Sequence, residues 1–405
     1  MPQELPAVHP LRAINRVRVL KALMDNAVRS RPELARQLGL SLTAITRLTN
    51  ELIEAGLVEE GEKYAAIKPG RPSTELNIDA SGAYVLGIEL HAFQQSLVLM
   101  DLSRRIVRRK ILQLSRPDDG PGSISELAQQ AKREIRAAKI DPLRVVGVGV
   151  AVTGIVNRER GILIDAPYLG WSSLNIAAQL EKYLEAPVVV DRIANALLTA
   201  EAHYGADSVR DAFLFNVGFG MSASFLIEGN IARGANAMAG HSGHVASDDT
   251  RRTCACGQKG CLNAVASGWA ALAELGEIKD EVASAEEFQR YRGKLAELLD
   301  RERNSEPKAC GALRQVGQTL GRTMRRFHIA LDPARMFLSG PVGRAASFIA
   351  GARSGVGDDL AGSIFCCEHQ VADAAALMAI DEFVRSARMD FARLHLASRN
   401  SPRIA

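Results

Sequence analysis

Cysteine is scarce in this sequence: there are six in 405 residues. Three of them crowd into 254–261, while Cys310 and the Cys366–Cys367 pair lie far off. That distribution is not the framework of a disulfide-stapled secreted domain; it favours reduced thiols in the cytoplasm, with a metal at the cluster. Long apolar runs are also missing. No stretch reaches the roughly 20 residues that span a bilayer, and "MPQELPAVHP" has no apolar signal core, so no membrane partner is expected. What is present is ordinary globular material, 47% hydrophobic and 24% charged, in a chain long enough for two or three domains.

A dominant charge is lacking too, since the net is only +4, but the average hides an asymmetry. Residues 1–50 carry eight Lys/Arg against three acids, and "ELIEAGLVEEGEK" then reverses the sign. A basic end suits a polyanionic partner or a solvated helix face. The pattern there decides between them. "LRAINRVRVLKALMD" places Leu11, Ile14, Val17, Leu20 and Leu23 at helical spacing. "SRPELARQLGL" has a Ser30 cap, Pro32 near the first turn and Glu33 at the capping-box position, and Gly39 stops it. A second helix starts at Ser41 and turns Ile45, Leu48, Leu52 and Ile53 inward until Gly56. Short helix, tight turn and second helix make a helix-turn-helix.

Its outward face is Ser41, Thr43, Ala44, Thr46, Arg47 and Asn50, small hydroxyls, an arginine and an amide of a size to enter a major groove. "GLVEEGEKYAAIKPGRPSTELNI" reads as a hairpin wing, whose Gly70-Arg71-Pro72 tip would hold Arg71 against a narrow minor groove. The expectation is a winged helix-turn-helix domain over residues 1–80 that binds double-stranded DNA.

From residue 83 strand and helix patterns alternate. "YVLGIEL", "QSLVLMDLS" and "IVRRKILQL" form a meander, "SISELAQQAKREIRAAK" is an amphipathic helix and "VVGVGVAVTGIV" a buried strand. "AFLFNVGFGMSASFLIEGN" opens a second round with strand, glycine turn and strand, and "ARMFLSGPVG" adds another strand. The fold class is α/β, with two lobes and a cleft between them.

The most distinctive stretch is "HVASDDTRRTCACGQKGC". His244, Cys254, Cys256 and Cys261 offer one imidazole and three thiolates, a set suited to a closed tetrahedral structural Zn2+ site. Gly257 and Gly260 let the loop turn around one ion. Four protein ligands leave no vacancy for a water nucleophile, so metal-assisted hydrolysis is not expected.

With "LTAITRLTNELIEAGLVEE", "GRPSTELNIDASGAYVLGIEL", "APYLGW", "RGANAMAGHSGH", "CACGQKGCL" and "LDPARMFLSG" in this order, the chain resembles the ROK family. That family groups bacterial sugar-responsive repressors with sugar kinases on a bilobal actin-like ATPase (ribonuclease H-like) fold. The helix-turn-helix and Gly-Arg-Pro wing resemble its repressor branch, which includes the xylose and N-acetylglucosamine repressors. The resemblance implies a ROK domain over 81–390 with its zinc loop at 244–261, a C-terminal tail at 391–405, a homodimer or homotetramer on a near-palindromic operator, and a sugar or sugar-derivative effector. His244 and the three cysteines match the family's structural zinc motif, beside the sugar pocket.

Against the family's kinases, this sequence is depleted where phosphate chemistry sits. Their Asp-x-Gly-Gly-Thr becomes "GIELHAFQQS", with Glu89, His91 and Ala92 in place of the cradle. Their catalytic aspartate position holds Ile193, and Met221 replaces a glycine of the second phosphate loop. Phosphoryl transfer is therefore not expected. Positions where the family contacts sugar hold Tyr168, Arg192, Asn195, His241 and His244. Arg192 with His241 points to a carboxylate- or phosphate-bearing sugar derivative. The sequence thus reads as a DNA-binding transcriptional regulator, most simply a repressor of carbohydrate genes. Its rivals are a sugar kinase with an added DNA module, and a helix-turn-helix protein whose large domain serves only to oligomerise.

Overall fold

The computed structural model describes residues 10–25, 30–64, 73–91, 94–279 and 285–400. Helices α1 (Pro10–Met24), α2 (Arg31–Leu38) and α3 (Leu42–Glu54) are followed by the antiparallel hairpin β1 (Val58–Tyr64) and β2 (Ser73–Ile78). Gly39 ends α2 at φ 66°, a left-handed turn that glycine adopts without strain. Ser41 then caps α3, its hydroxyl accepting from the Ala44 amide. The expected cap at Ser30 differs: its backbone is extended, but its side chain makes no capping bond. Val17, Leu20, Leu23, Leu34, Ile45, Leu48 and Leu52 are buried, whereas Leu11 and Ile14 at the start of α1 stand exposed. The tip of the wing, with Arg71, lies outside the described residues.

Two five-stranded sheets follow. The first runs through β3 (Tyr84–Leu90), β4 (Gln95–Asp101), β5 (Ile106–Leu112), α4 (Gly120–Ala137), β6 (Val145–Val152), the small antiparallel sheet β7 (Ile155–Asn157), β8 (Ile162–Ala166) and β9 (Trp171–Asn175), then α5 (Ile176–Leu184), β10 (Val188–Arg192) and α6 (Ile193–Tyr204). Its order is β10-β6-β3-β4-β5. The second lobe holds β11 (Ala212–Val217), β12 (Met221–Ile227), β13 (Asn230–Ile231), α7 (Leu262–Val265), α8 (Gly268–Glu274), α9 (Ala285–Arg303), α10 (Pro307–Leu331), β14 (Arg335–Ser339), α11 (Gly340–Gly343), α12 (Ala346–Val356) and β15 (Ile364–Cys366), with order β13-β12-β11-β14-β15. In both sheets the first three strands form an antiparallel meander, and the fourth and fifth add in parallel on the far side of the first. The lobes share one topology.

The chain returns to the first lobe through α13 (Val371–Ala379), whose alanines lie directly on the sheet. A Cβ at Gly87 or Gly149 would stand 2.1 Å or 1.8 Å from α13 carbonyls, so glycine is what lets helix and strands approach. Residues 391–400, expected to begin a tail, form α14 (Phe391–Asn400), packed where the helix-turn-helix meets the first lobe. One contiguous apolar core joins Leu20, Ile45 and Leu52 to Val85, Leu377, Phe391 and Leu394. The helix-turn-helix is thus attached to the first lobe by shared burial, not by a bare linker.

Candidate functional site

The outward face of α3 lines a surface groove with Leu42, Thr43, Thr46, Arg47 and Asn50, and Arg12 of α1 contributes from the side. Four of the six side chains expected on this face, Thr43, Thr46, Arg47 and Asn50, line that groove. Ser41 and Thr46 spend their hydroxyls locally, the first as the cap and the second by donating to the Leu42 carbonyl at 2.8 Å. Ala44 does not line the groove. Sequence reasoning missed Leu42, Arg12 and Glu51. The Glu51 carboxylate gathers Arg12 (3.0 Å), Arg16 (3.4 Å) and Arg47 (3.7 Å), so part of the basic surplus is neutralised before any partner arrives. An acid four residues after Arg47 was the available signal.

Between the lobes lies a cleft of about 510 Å³, a size that suits a monosaccharide. β6 and β8 bring Thr153 and Asp165 to one side, Arg192 and Ile193 come from the junction of β10 and α6, and the turn of β11 and β12 brings Gly218, Gly220 and Met221. Tyr168, His241 and His244 also line it, as the sequence suggests. Asn195 does not. It is buried behind the wall, donating to Asp191 Oδ1 at 2.7 Å and accepting from Ser224 at 2.8 Å, so its amide is spent inside the protein.

Arg192 lines the cleft but is anchored inward. Its Nη2 donates to the Ala239 carbonyl and to Asn195 at 3.3 Å. Burial lowers its pKa, Asp191 opposes that shift, and Arg233 adds to it. One nitrogen of the guanidinium is thus spent inside the protein, while the side chain still lines the cleft as a cation. Burial, with Arg192 and His244 nearby, pushes His241 down to about 4. Two polar atoms of cleft-lining residues, Thr153 Oγ1 and His241 Nε2, are buried without a hydrogen-bond partner. Such orphans are costly unless something supplies the missing bond.

Behind Arg192 sits a network that the sequence did not reveal. Asp191 accepts from Arg233 at 2.6 Å and from Arg158 at 3.3 Å, and Arg158 reaches Glu382 at 2.7 Å. Burial pushes the Asp191 carboxyl up, but Arg233 and Arg158 outweigh it and hold it below the usual range. This fixes the loop 233–241 to the first lobe.

One cleft wall is the cysteine loop. His244 Nδ1 lies 3.7 Å from Cys254 Sγ, and Cys256 Sγ lies 3.6 Å from Cys261 Sγ. The four ligand atoms all fall within 4.8 Å of one another. A tetrahedral ion with metal–sulfur bonds of about 2.3 Å holds its sulfurs about 3.8 Å apart, so these residues fit a single ion. Gly257 (φ 83°) and Gly260 (φ 75°) make the turns, and a Cβ at Gly260 would approach the Asp249 carbonyl at 2.8 Å. Bridges Ala246–Cys261 and Thr253–Lys259 close the loop into a knuckle. His244 and Cys256 face the cleft, so the cluster that could hold a metal also shapes the ligand wall.

Comparison with known proteins agrees with this geometry. A winged helix-turn-helix DNA-binding model matches residues 12–59, and the ROK family model matches residues 85–375. The xylose repressor of Caldicellulosiruptor bescii is 28% identical over 269 residues, covering 66% of this chain and 67% of that protein. Among solved structures, a ROK family transcriptional regulator described as a homologue of the E. coli Mlc protein superposes with a TM-score of 0.71. It is 23% identical and covers 96% of this chain and 99% of the other. The ROK hexokinase of Thermus thermophilus shares the fold of the large part, at a TM-score of 0.58 and 22% identity over 74% of this chain and 98% of its own. Through the paired sheets, the cleft and the cysteine knuckle between them, the chain belongs to the ROK family.

Proposed function

We propose that this protein is a DNA-binding transcriptional regulator, a repressor of carbohydrate genes whose operator occupancy is set by a sugar in the cleft. The observation that carries the reading is the continuous core joining the reader helices to the sheet that floors the cleft. A ligand that favours one arrangement of the lobes thereby acts on a body to which the reader is fixed. It shifts occupancy only by its differential affinity for the two arrangements. The xylose repressor similarity supports the same assignment. Ser41 caps the reader helix, Ala44 is its capped amide, and Thr43, Thr46, Arg47 and Asn50 face the duplex, with Arg71 of the wing against the narrow minor groove beside it. A homodimer or homotetramer presents two such readers to a near-palindromic operator.

The effector is a sugar whose hydroxyls meet Thr153 and His241, with Tyr168, Arg192 and His244 around it. Zn2+ held by His244, Cys254, Cys256 and Cys261 keeps the knuckle folded against that sugar and performs no chemistry. The residues that would run phosphoryl transfer are replaced, Ile193 in the cleft being the clearest case, so the protein works without catalysis. Free cysteines throughout the described chain suit a cytoplasmic setting.

The test is an electrophoretic mobility shift with the full-length, metal-replete protein on its own promoter fragment, with excess random duplex and a panel of sugars. Specific retention that one sugar relieves is expected. Equal retention of promoter and random duplex would overturn the reading. An ATP-dependent phosphorylation assay on the same sugars separates the kinase alternative; no turnover is expected.

A further inference from the structure

The reader helix carries an apolar group where a polar one would cost nothing. Leu42 opens α3 and is 52% exposed, in no core cluster and in the groove shared by Thr43, Arg47 and Asn50. One helical turn on, Thr46 has turned its hydroxyl back to the Leu42 carbonyl at 2.8 Å, which leaves its methyl as the group it can offer outward. Leu42, Thr46 and Asn50, each four residues apart, therefore form a row that begins apolar and ends polar. At its polar end Asn50 accepts from Arg31 at 3.2 Å, which steadies its amide.

We infer that Leu42 and the Thr46 methyl form an apolar ledge that reads the 5-methyl group of thymine in the major groove. This inference rests on the DNA-reading assignment of α3 and names the base edge it selects. Thymine is the base that shows a methyl in that groove, and contact with it is a recognised source of sequence discrimination. Covering this exposed leucine with a thymine methyl would remove apolar surface from water on both sides. Arg47 and Asn50 lie beyond the ledge and supply donors to base acceptors or phosphates, so the ledge sets a thymine beside a hydrogen-bonded position.

The experiment starts from duplexes enriched by the full-length, metal-replete protein from a random-sequence pool. Each thymine of the enriched half-site is replaced singly by uracil, which removes the 5-methyl and leaves pairing and the O4 acceptor intact. Dissociation constants are measured for the wild type, Leu42→Ala and Leu42→Met. At one thymine, uracil is expected to weaken the wild type about fourfold, the size of one buried methyl. It should change Leu42→Ala little, and Leu42→Met should retain most of the discrimination. Uracil effects equal in wild type and Leu42→Ala, or absent at every thymine, would overturn the ledge while leaving DNA reading in place. No enrichment of any sequence would overturn DNA reading and the ledge together. Because Leu42 is outside the core, circular dichroism melting of the variants should match the wild type, so a lost effect is not a lost fold.

Discussion

The hydroxyl of Ser398 donates to the backbone carbonyl of Ala55 at 3.1 Å, joining residues 343 positions apart at the end of the reader helix. Around this contact the guanidinium of Arg16 lies 3.4 Å from the centre of the Phe391 ring, and Arg385 pairs with Asp25 at 2.7 Å. Arg393 holds the same helix to the first lobe by donating to the carbonyls of Leu143 at 3.1 Å and Pro142 at 2.7 Å. The last helix is a strap between reader and lobe.

Phe391→Ala should therefore loosen the reader as well as the helix. Emptying a buried aromatic site costs about 3 kcal/mol or more. Urea denaturation should show that loss, and it should appear first in a probe on the helix-turn-helix. Equal stability of variant and wild type would mean that α14 rests on the surface without holding anything.

Glu201 makes the second prediction, at the return from the second lobe to the first. Its Oε1 accepts from Cys367 Sγ (2.9 Å), His369 Nδ1 (2.8 Å) and the amides of Glu368 (2.7 Å) and His369 (3.1 Å). Burial pushes this carboxyl up, but His369 and Cys367 outweigh it and bring it down to about 2. A depressed carboxylate adds stability that is present above its unfolded value near 4.3 and is lost as pH falls through the folded value. Stability of the wild type should thus drop between about pH 4.5 and 2 by a term on the order of 2–3 kcal/mol. Glu201→Gln should be weaker at neutral pH and flatter in that window, as thermal melts against pH would show. The Cys367 thiol, pushed up by burial beside Glu201, should resist alkylation in the native protein, while exposed Cys366 reacts.

Much of this was legible in the sequence where one period or one spacing decides the answer. Gly39, Ser41 and the Ile45–Leu48–Leu52 spacing specify the turn and the buried face of α3, and both are found. The first meander, the glycine hairpin that opens the second round and the cysteine cluster were readable for the same reason. What was not legible depends on contacts between distant segments. Nothing near "DRIAN" says that Arg233 and Arg158 will close on Asp191, or that Asn195 will turn away from the cleft to meet it. Leu11 and Ile14 keep a helical period yet stand in solvent, because period marks a face and does not say which neighbour covers it. The strap was missed because its partners Arg16, Ala55 and Leu143 lie hundreds of residues from it.

Metal removal should separate the knuckle from the rest. Elemental analysis should give one zinc per chain, and a strong chelator should abolish sugar binding while leaving the helix-turn-helix melt almost unchanged, since the cluster is remote from that core. Cys254→Ser should do the same. A chain that keeps full sugar affinity after chelation, with no metal detected, would end the structural-zinc reading.

The orphaned hydroxyl of Thr153 allows a test in which stability and binding move in opposite directions. Its Oγ1 is buried without a partner, so the isosteric Thr153→Val removes an unsatisfied polar atom and should leave the protein equally stable or more stable by about 1 kcal/mol. If a sugar hydroxyl supplies the missing bond, the same change should weaken that sugar about tenfold, a loss typical of one hydrogen bond to a buried partner. Isothermal titration of glucose, xylose, N-acetylglucosamine, gluconate and glucose 6-phosphate into both proteins reads the effect. With Arg192 anchored to Ala239 and Asn195, the neutral sugars should bind better than the two anions. Preference for an anion, lost in Arg192→Ala, would restore the acidic-sugar expectation; unchanged affinity in Thr153→Val would move the sugar away from β6.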